Sequence, residues 1–233
     1  MLAVCAHPDD ESFALGAILA QLADEGAHVS LLCLTQGEAS SLGPGERLGE
    51  LRSRELCGAA AELGVGRVEL TSYPDGALDS VPLEELAAAV SSLIEQERPE
   101  LLLAFDEGGV TGHRDHHRAT EAALATASHA ELPVLAWALP EEVAEALNQE
   151  FGTSFTGRAA SQLDLVIVVD RTRQLRAVRR HASQSAGNPV LWRRLELQGD
   201  REALRWLHLP RRGHRLASVA TRGLGANPPR PAT

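Results

Sequence analysis

Short apolar runs alternate along this chain with longer stretches in which apolar positions recur every three or four residues. Runs at 2–5, 29–34, 68–70, 101–105 and 134–139 have strand length, and the stretches 11–25, 47–63, 83–98, 115–128 and 141–151 have the period of amphipathic helices. Strand and helix thus alternate repeatedly, which predicts an α/β fold: a Rossmann-like, doubly wound, mostly parallel sheet between two helical layers, three layers in all. Runs at 165–169 and 216–219 predict later strands, with an Arg-rich helical segment at 172–182 between them. Prolines at 228, 229 and 231 mark 223–233 as an expected loose tail, and residues 1–222 read as a single domain because no linker or repeat divides them.

Composition narrows the picture. With 233 residues, 44% hydrophobic and 23% charged, the chain has enough apolar content for a full core and is not of disordered type. Its formal net charge of -10 argues against nucleic acid and anionic membranes as partners and favours a small neutral or cationic substrate. Every basic residue is Arg, so mechanisms needing a Schiff-base or P-loop lysine are excluded. Cys5, Cys33 and Cys57 lack CxxC spacing and sit in apolar segments, which predicts reduced, buried thiols. No charged-then-apolar leader and no bilayer-length apolar run is present, so a cytoplasmic location is expected.

Polar residues break the pattern at two strand ends. After the first run come His7-Pro8-Asp9-Asp10-Glu11, one imidazole with three carboxylates; after the fourth come Gly112-His113-Arg114-Asp115-His116-His117. In a sheet of order 3-2-1-4-5 the first and fourth strands are neighbours, and the crevice between them is the topological switch point where such sheets bind ligands. His7, Asp10 and one histidine of the second cluster would supply two nitrogens and one oxygen, leaving a coordination position for water. That is the pattern of a catalytic zinc, with ferrous iron as the alternative. Asp9 and Asp10 cannot both be free anions side by side at low cost. One as ligand and the other as base resolves this, although spacing alone does not assign the roles. A capped strand-end turn is the plain alternative for the first cluster, and the second cluster weighs against it. Neither GxGxxG nor GxxxxGK[ST] follows the first run, so nucleotide binding has no support.

Together, the AHPDDE and TGHRDH segments resemble the PIG-L/LmbE family of zinc-dependent deacetylases, which act on N-acetylglucosamine-containing molecules. Thr35-Gln36-Gly37-Glu38, Arg52-Ser53-Arg54-Glu55-Leu56 with Glu62-Leu63-Gly64-Val65, Tyr73-Pro74-Asp75-Gly76 and His181-Ala182-Ser183-Gln184 resemble further segments of the family in order. The resemblance implies an LmbE-like fold and one Zn2+ per chain held by His7, Asp10 and His116. It implies Asp9 as the general base and His113 as an imidazolium that stabilises the oxyanion. Asp115 would orient His113, and Arg52 and Asp75 would hold sugar hydroxyls. It also implies hydrolysis of an N-acetyl group to acetate and free amine on a small amino-sugar substrate, and leaves a homo-oligomer open as the assembly.

Three features depart from the family. Arg114 replaces a frequent Pro, His117 offers a second ligand assignment beside His116, and Thr111 stands where some relatives carry a Tyr. His181 and Gln184 are candidates for the cavity wall, while Trp137, Trp192 and Trp206 are expected to pack rather than to hold sugar. The competing readings are an amidase cleaving thiol conjugates within the same family, a two-metal phosphoesterase suggested by Asp115-His116-His117, and a sugar-binding protein without turnover.

Overall fold

A computed structural model describes residues 1–43, 45, 47–108, 110–210 and 224. Strand β1 (Leu2–Cys5) lies between β2 (Ser30–Thr35) and β4 (Leu102–Phe105), with β3 (Arg67–Tyr73) outside β2 and β5 (Val134–Pro140) outside β4. These five are parallel, in the order 3-2-1-4-5 that the alternation predicts. The first two strands read as unbroken apolar runs because both their faces are covered. Ala3, Cys5, Leu31 and Cys33 face one core with α2 (Gly16–Asp24) and α3 (Leu48–Leu63). Leu2, Val4, Leu32 and Leu34 face the other, under α4 (Leu83–Glu97) and α5 (Arg114–Ala130). The chain is thus a doubly wound α/β protein with helices on both faces of the sheet.

Several boundaries move. The helix expected over 11–25 is two, α1 (Asp10–Phe13) and α2, with the break at Ala14 and Leu15. A Cβ at Gly16 would come within 2.9 Å of the Gln174 side chain, so the start of α2 packs close against α7 (Thr172–Arg180). Beyond α6 (Glu141–Phe151) and the two-residue β6 (Gly157–Arg158), β7 (Leu165–Val168) precedes α7, as expected. Two short helices follow, α8 (Ala182–Ser185) and α9 (Pro189–Gln198).

The final element of the sheet, β8 (Arg201–His208), is antiparallel to both β5 and β7 and sits between them. Neither α9 nor β8 is predicted from the sequence pattern. The strand expected at 216–219 and the tail at 223–233 lie outside the described residues, apart from Leu224, which is buried in the core. Cys5 and Cys33 are buried, and burial first of all pushes both thiols well up. Cys57 corrects the expectation: it is exposed, because its position on α3 faces away from the sheet. Among the described residues no helix is long and apolar enough to cross a membrane.

Candidate active site

The two polar clusters meet where β1 and β4 end side by side. His7 Nδ1 lies 3.1 Å from His116 Nε2, and His116 Nε2 lies 3.0 Å from Asp10 Oδ1. His7 Nδ1 is 3.7 Å from the other Asp10 oxygen. Donors about 2.0 Å from a tetrahedral zinc stand roughly 3.3 Å from one another, so these three side chains already have the spacing that one small divalent ion requires. All three are buried. Two imidazoles and a carboxylate suit zinc or ferrous iron, and no cysteine belongs to the converging group.

Their outward atoms are also occupied. His7 Nε2 faces Asp75 Oδ1 at 3.1 Å and Asp115 Oδ2 at 3.2 Å, while His116 Nδ1 is 2.9 Å from Thr111 Oγ1. Hydrogen bonds of this kind fix the tautomer of a ligating imidazole and raise its basicity. Asp10 accepts from the backbone N–H groups of Ala6 and His7 through Oδ2, which leaves Oδ1 for the cluster. Burial opposes its charge, but His116 and His7 more than offset this and hold the carboxyl well below the usual range. Burial likewise opposes a charged His7, yet Asp115 and Asp75 carry its pKa up to about 10.

Asp115 departs from its expected place. Its carboxylate still lies near His113 and favours a charge there, but its hydrogen bonds come from the backbone N–H groups of Gly76 and Leu78 and it faces His7 Nε2. The contact with His113 runs the other way, because His113 is the N-cap of α5 and its Nδ1 accepts the Asp115 backbone N–H at 3.2 Å. That fixes the His113 proton on Nε2. Partial burial and the nearby His7 and His116 lower the pKa of His113, Asp115 and Asp10 oppose the shift, and with Nδ1 accepting from the backbone the ring has its Nε2–H to donate. Asp75 likewise belongs to His7, with its second oxygen accepting from Ala39 N–H.

Asp9 sits apart from the three convergent side chains, at φ 136, a conformation that few residues other than glycine adopt. Arg52 holds it there, donating from Nη2 both to Asp9 Oδ2 at 2.9 Å and to Pro8 O at 2.6 Å. Burial raises the Asp9 pKa, with Arg52 opposing and Asp10 adding to the rise, and the outcome is about 6. Arg52 is buried, and its Nη1 donates to Gly37 O. Gly37 has φ 67, and a Cβ there would fall 2.2 Å from the guanidinium, so this turn admits only glycine.

The loop that carries the second cluster is fastened from several directions. Arg158 and Arg205 clamp the buried Asp106 at 2.5 and 2.9 Å, and Thr156 N–H donates to Val110 O. These contacts hold Val110 at φ 56, which a β-branched residue rarely adopts. His117, the alternative ligand, is exposed beside Glu121 and lies outside the cluster.

A cavity of about 480 Å³ opens onto these residues, with Asp9, Asp10, His113 and His116 in its wall. Gln184 lines it and ties the 36–45 loop through Ser40 Oγ, whereas His181 is buried against Glu11 at 2.6 Å and takes no part in the wall. Asn188, Leu191 and Arg194 complete one side; no pattern in the sequence singles them out, since α9 itself goes unpredicted.

A family model described as PIG-L, GlcNAc-PI de-N-acetylase, matches residues 2–127. A protein of Thermobifida fusca named 1D-myo-inositol 2-acetamido-2-deoxy-alpha-D-glucopyranoside deacetylase is 34% identical over 166 residues, covering 59% of this chain and 58% of its own length. One of Thermomonospora curvata with the same name is 36% identical over 149 residues, 52% of this chain and 50% of its own. The chain thus spans about half the length of these curated relatives. Among solved structures, teicoplanin deacetylase in a zinc-inhibited form superposes with a TM-score of 0.66 at 20% identity, covering 88% of this chain and 97% of that one. The N,N'-diacetylchitobiose deacetylase of Pyrococcus horikoshii does so with a TM-score of 0.60 at 20% identity, covering 97% and 80%. At such identities the superpositions establish the fold alone.

Proposed function

Because the chain belongs to the PIG-L family of GlcNAc-PI de-N-acetylases, we propose that it hydrolyses the N-acetyl group of an N-acetylglucosamine-containing small molecule, releasing acetate and free amine. The observation that carries this reading is the convergence of His7, Asp10 and His116 beside a partly buried carboxylate, Asp9, that is not one of the three converging donors. A divalent ion held there, zinc first and ferrous iron second, supplies a Lewis acid and a water acidic enough to react near neutral pH.

The remaining chemistry belongs to the side chains. Asp9 accepts the proton of the attacking water, with Arg52 fixing its carboxylate through Nη2. His113 donates Nε2–H to the acyl oxygen as negative charge develops on it. The protonated Asp9 then delivers its proton to the nitrogen, so the amine leaves neutral. Asp115 keeps His7 oriented and charge-compensated, with Asp75 beside it. Asp75 thereby gains a role next to the metal site in addition to any contact with sugar hydroxyls.

The test is a panel of N-acetylated glucosides assayed for released amine, with and without a chelator. Chelator-sensitive release from at least one member is expected; no release from any of them favours a sugar-binding protein without turnover. Asp115→Asn is expected to weaken zinc binding by about 10–100-fold, the usual effect of losing an outer partner, as read by competition with a chromogenic chelator. Unchanged affinity would mean that Asp75 alone supports His7.

A further inference from the structure

Past His116 the cavity continues along a row of rings. Phe105 lies against His116 with centroids 4.6 Å apart, Trp137 meets Phe105 edge-on at 5.3 Å, and the Arg194 guanidinium stands 5.0 Å over the Trp137 ring. Phe105, Trp137 and Arg194 all border the cavity, and Arg194 is only 4% exposed. Its hydrogen bonds go to neutral acceptors, Phe13 O at 2.5 Å and Gln198 Oε1 at 2.6 Å. Among the described residues no carboxylate pairs with it.

The acidic group whose field reaches Arg194 is Glu202, and it is already committed. Glu202 accepts from Arg171 at 2.5 Å, from Trp137 Nε1 at 2.7 Å and from Gln198 Nε2 at 3.1 Å. Arg171 and Glu202 neutralise each other, which leaves one net positive charge buried at the cavity wall. Burial presses the Arg194 pKa down to about 10, and the group remains a cation at neutral pH. A buried charge without a counter-charge is strongly unfavourable, and this one borders the space where a ligand would sit. Arg52, the other guanidinium on the cavity, is compensated by Asp9.

The two sides of the cavity therefore differ in character. Arg52, Asp75 and Gln184 make a polar side next to His7 and Asp9; Phe105, Trp137 and Arg194 make an aromatic side that leads away from His116 and ends in a cation. An amide held at His7, Asp10 and His116 with its sugar on the polar side would have its acyl substituent facing the aromatic side.

We propose that this side is an acyl subsite ending in a carboxylate-binding arginine, so that the protein hydrolyses amino-sugar amides of short dicarboxylic acids as well as acetamides. The proposal rests on the amidohydrolase reading above for its chemistry. Water adds its hydroxyl to the acyl carbon, the C–N bond breaks, the nitrogen takes the proton, and the products are a free amine and a dicarboxylate.

Calorimetric titration of the zinc-loaded protein with succinate, glutarate and adipate, each against its half-amide, provides the test. The half-amides keep one carboxylate and the chain length but lose the second charge. At least one diacid is expected to bind tenfold or more tightly than its half-amide, and Arg194→Gln is expected to abolish that preference while Arg194→Lys retains part of it. Equal affinities at every length in the wild-type protein, or a preference that survives Arg194→Gln, would overturn the proposal. The wild-type comparison decides the matter even if Arg194→Gln does not fold.

A parallel assay compares N-acyl glucosaminides carrying the preferred diacid with the acetamide. The expected split is a lower KM for the diacid amide that reverts in Arg194→Gln with kcat little changed; a loss shared equally by both substrates would mark Arg194 as merely structural. Amine release without any diacid preference overturns the subsite alone. A diacid preference without amine release supports the role of the arginine and overturns the amidohydrolase reading.

Discussion

Asp9→Asn is expected to bind zinc as the wild type does and to lose roughly two to four orders of magnitude in kcat, the range that a positioned general base contributes. The substitution is nearly isosteric. Its amide oxygen can still accept from Arg52 Nη2, so the clamp that joins Pro8, Asp9 and Gly37 is retained. What disappears is a carboxylate able to take a proton, whose burial has already brought its pKa to about 6. Because Asp9 is not one of the three side chains whose donor atoms converge, metal content should not change. Zinc measured per chain alongside amine release separates the two roles, and wild-type turnover in Asp9→Asn would exclude Asp9 as the base.

His116→Ala should fail differently. Its Nε2 lies 3.1 Å from His7 Nδ1 and 3.0 Å from Asp10 Oδ1, so removing it takes away one vertex of the three-donor set. Zinc affinity should fall by more than the ~10–100-fold that loss of an outer partner costs, and activity should fall with it. Excess zinc should restore little, since the remaining pair leaves the ion bound by two side chains. Metal content after dialysis, with far-ultraviolet circular dichroism to verify the fold, checks this. A variant that keeps stoichiometric zinc would place the ion elsewhere, with His113 and Asp115 beside His7 as the other grouping.

Both candidate clusters are legible in the sequence because each is contiguous. A handful of neighbouring residues at a strand end carries its own signature, and the parallel order of β1 and β4 brings two such ends together without further information. What the sequence hides is contact across loops. Asp115 stands two positions from His113, and the resemblance pairs them; in the structure its carboxylate reaches 108 residues back to His7, since the start of α5 points it at the turn after β3. The resemblance puts Arg52 at the site, but nothing local in the sequence shows that a glycine fifteen residues earlier accepts its Nη1 hydrogen bond through the backbone oxygen or that its Nη2 holds Asp9.

The same limit applies to the last third of the chain. The stretch 189–198 mixes apolar and charged positions closely, and 201–208 interleaves arginine and glutamate with its apolar residues. Burial inside the protein, which pairs Arg194 with Trp137 and Glu202 with Arg171, accounts for charges that the hydrophobic pattern alone assigns to solvent.

Placing β8 between β5 and β7 also constrains the order of assembly. Five parallel strands can pair as they leave the ribosome, but most of one edge of β5, an almost wholly apolar strand containing Trp137, has its partner only once residues 201–208 have been made. Until then the nascent protein presents an adhesive, unpaired edge of the kind that recruits foreign strands. Its solubility during synthesis therefore depends on sixty-odd residues of delay, counted from Pro140 to Arg201, passing without such an encounter.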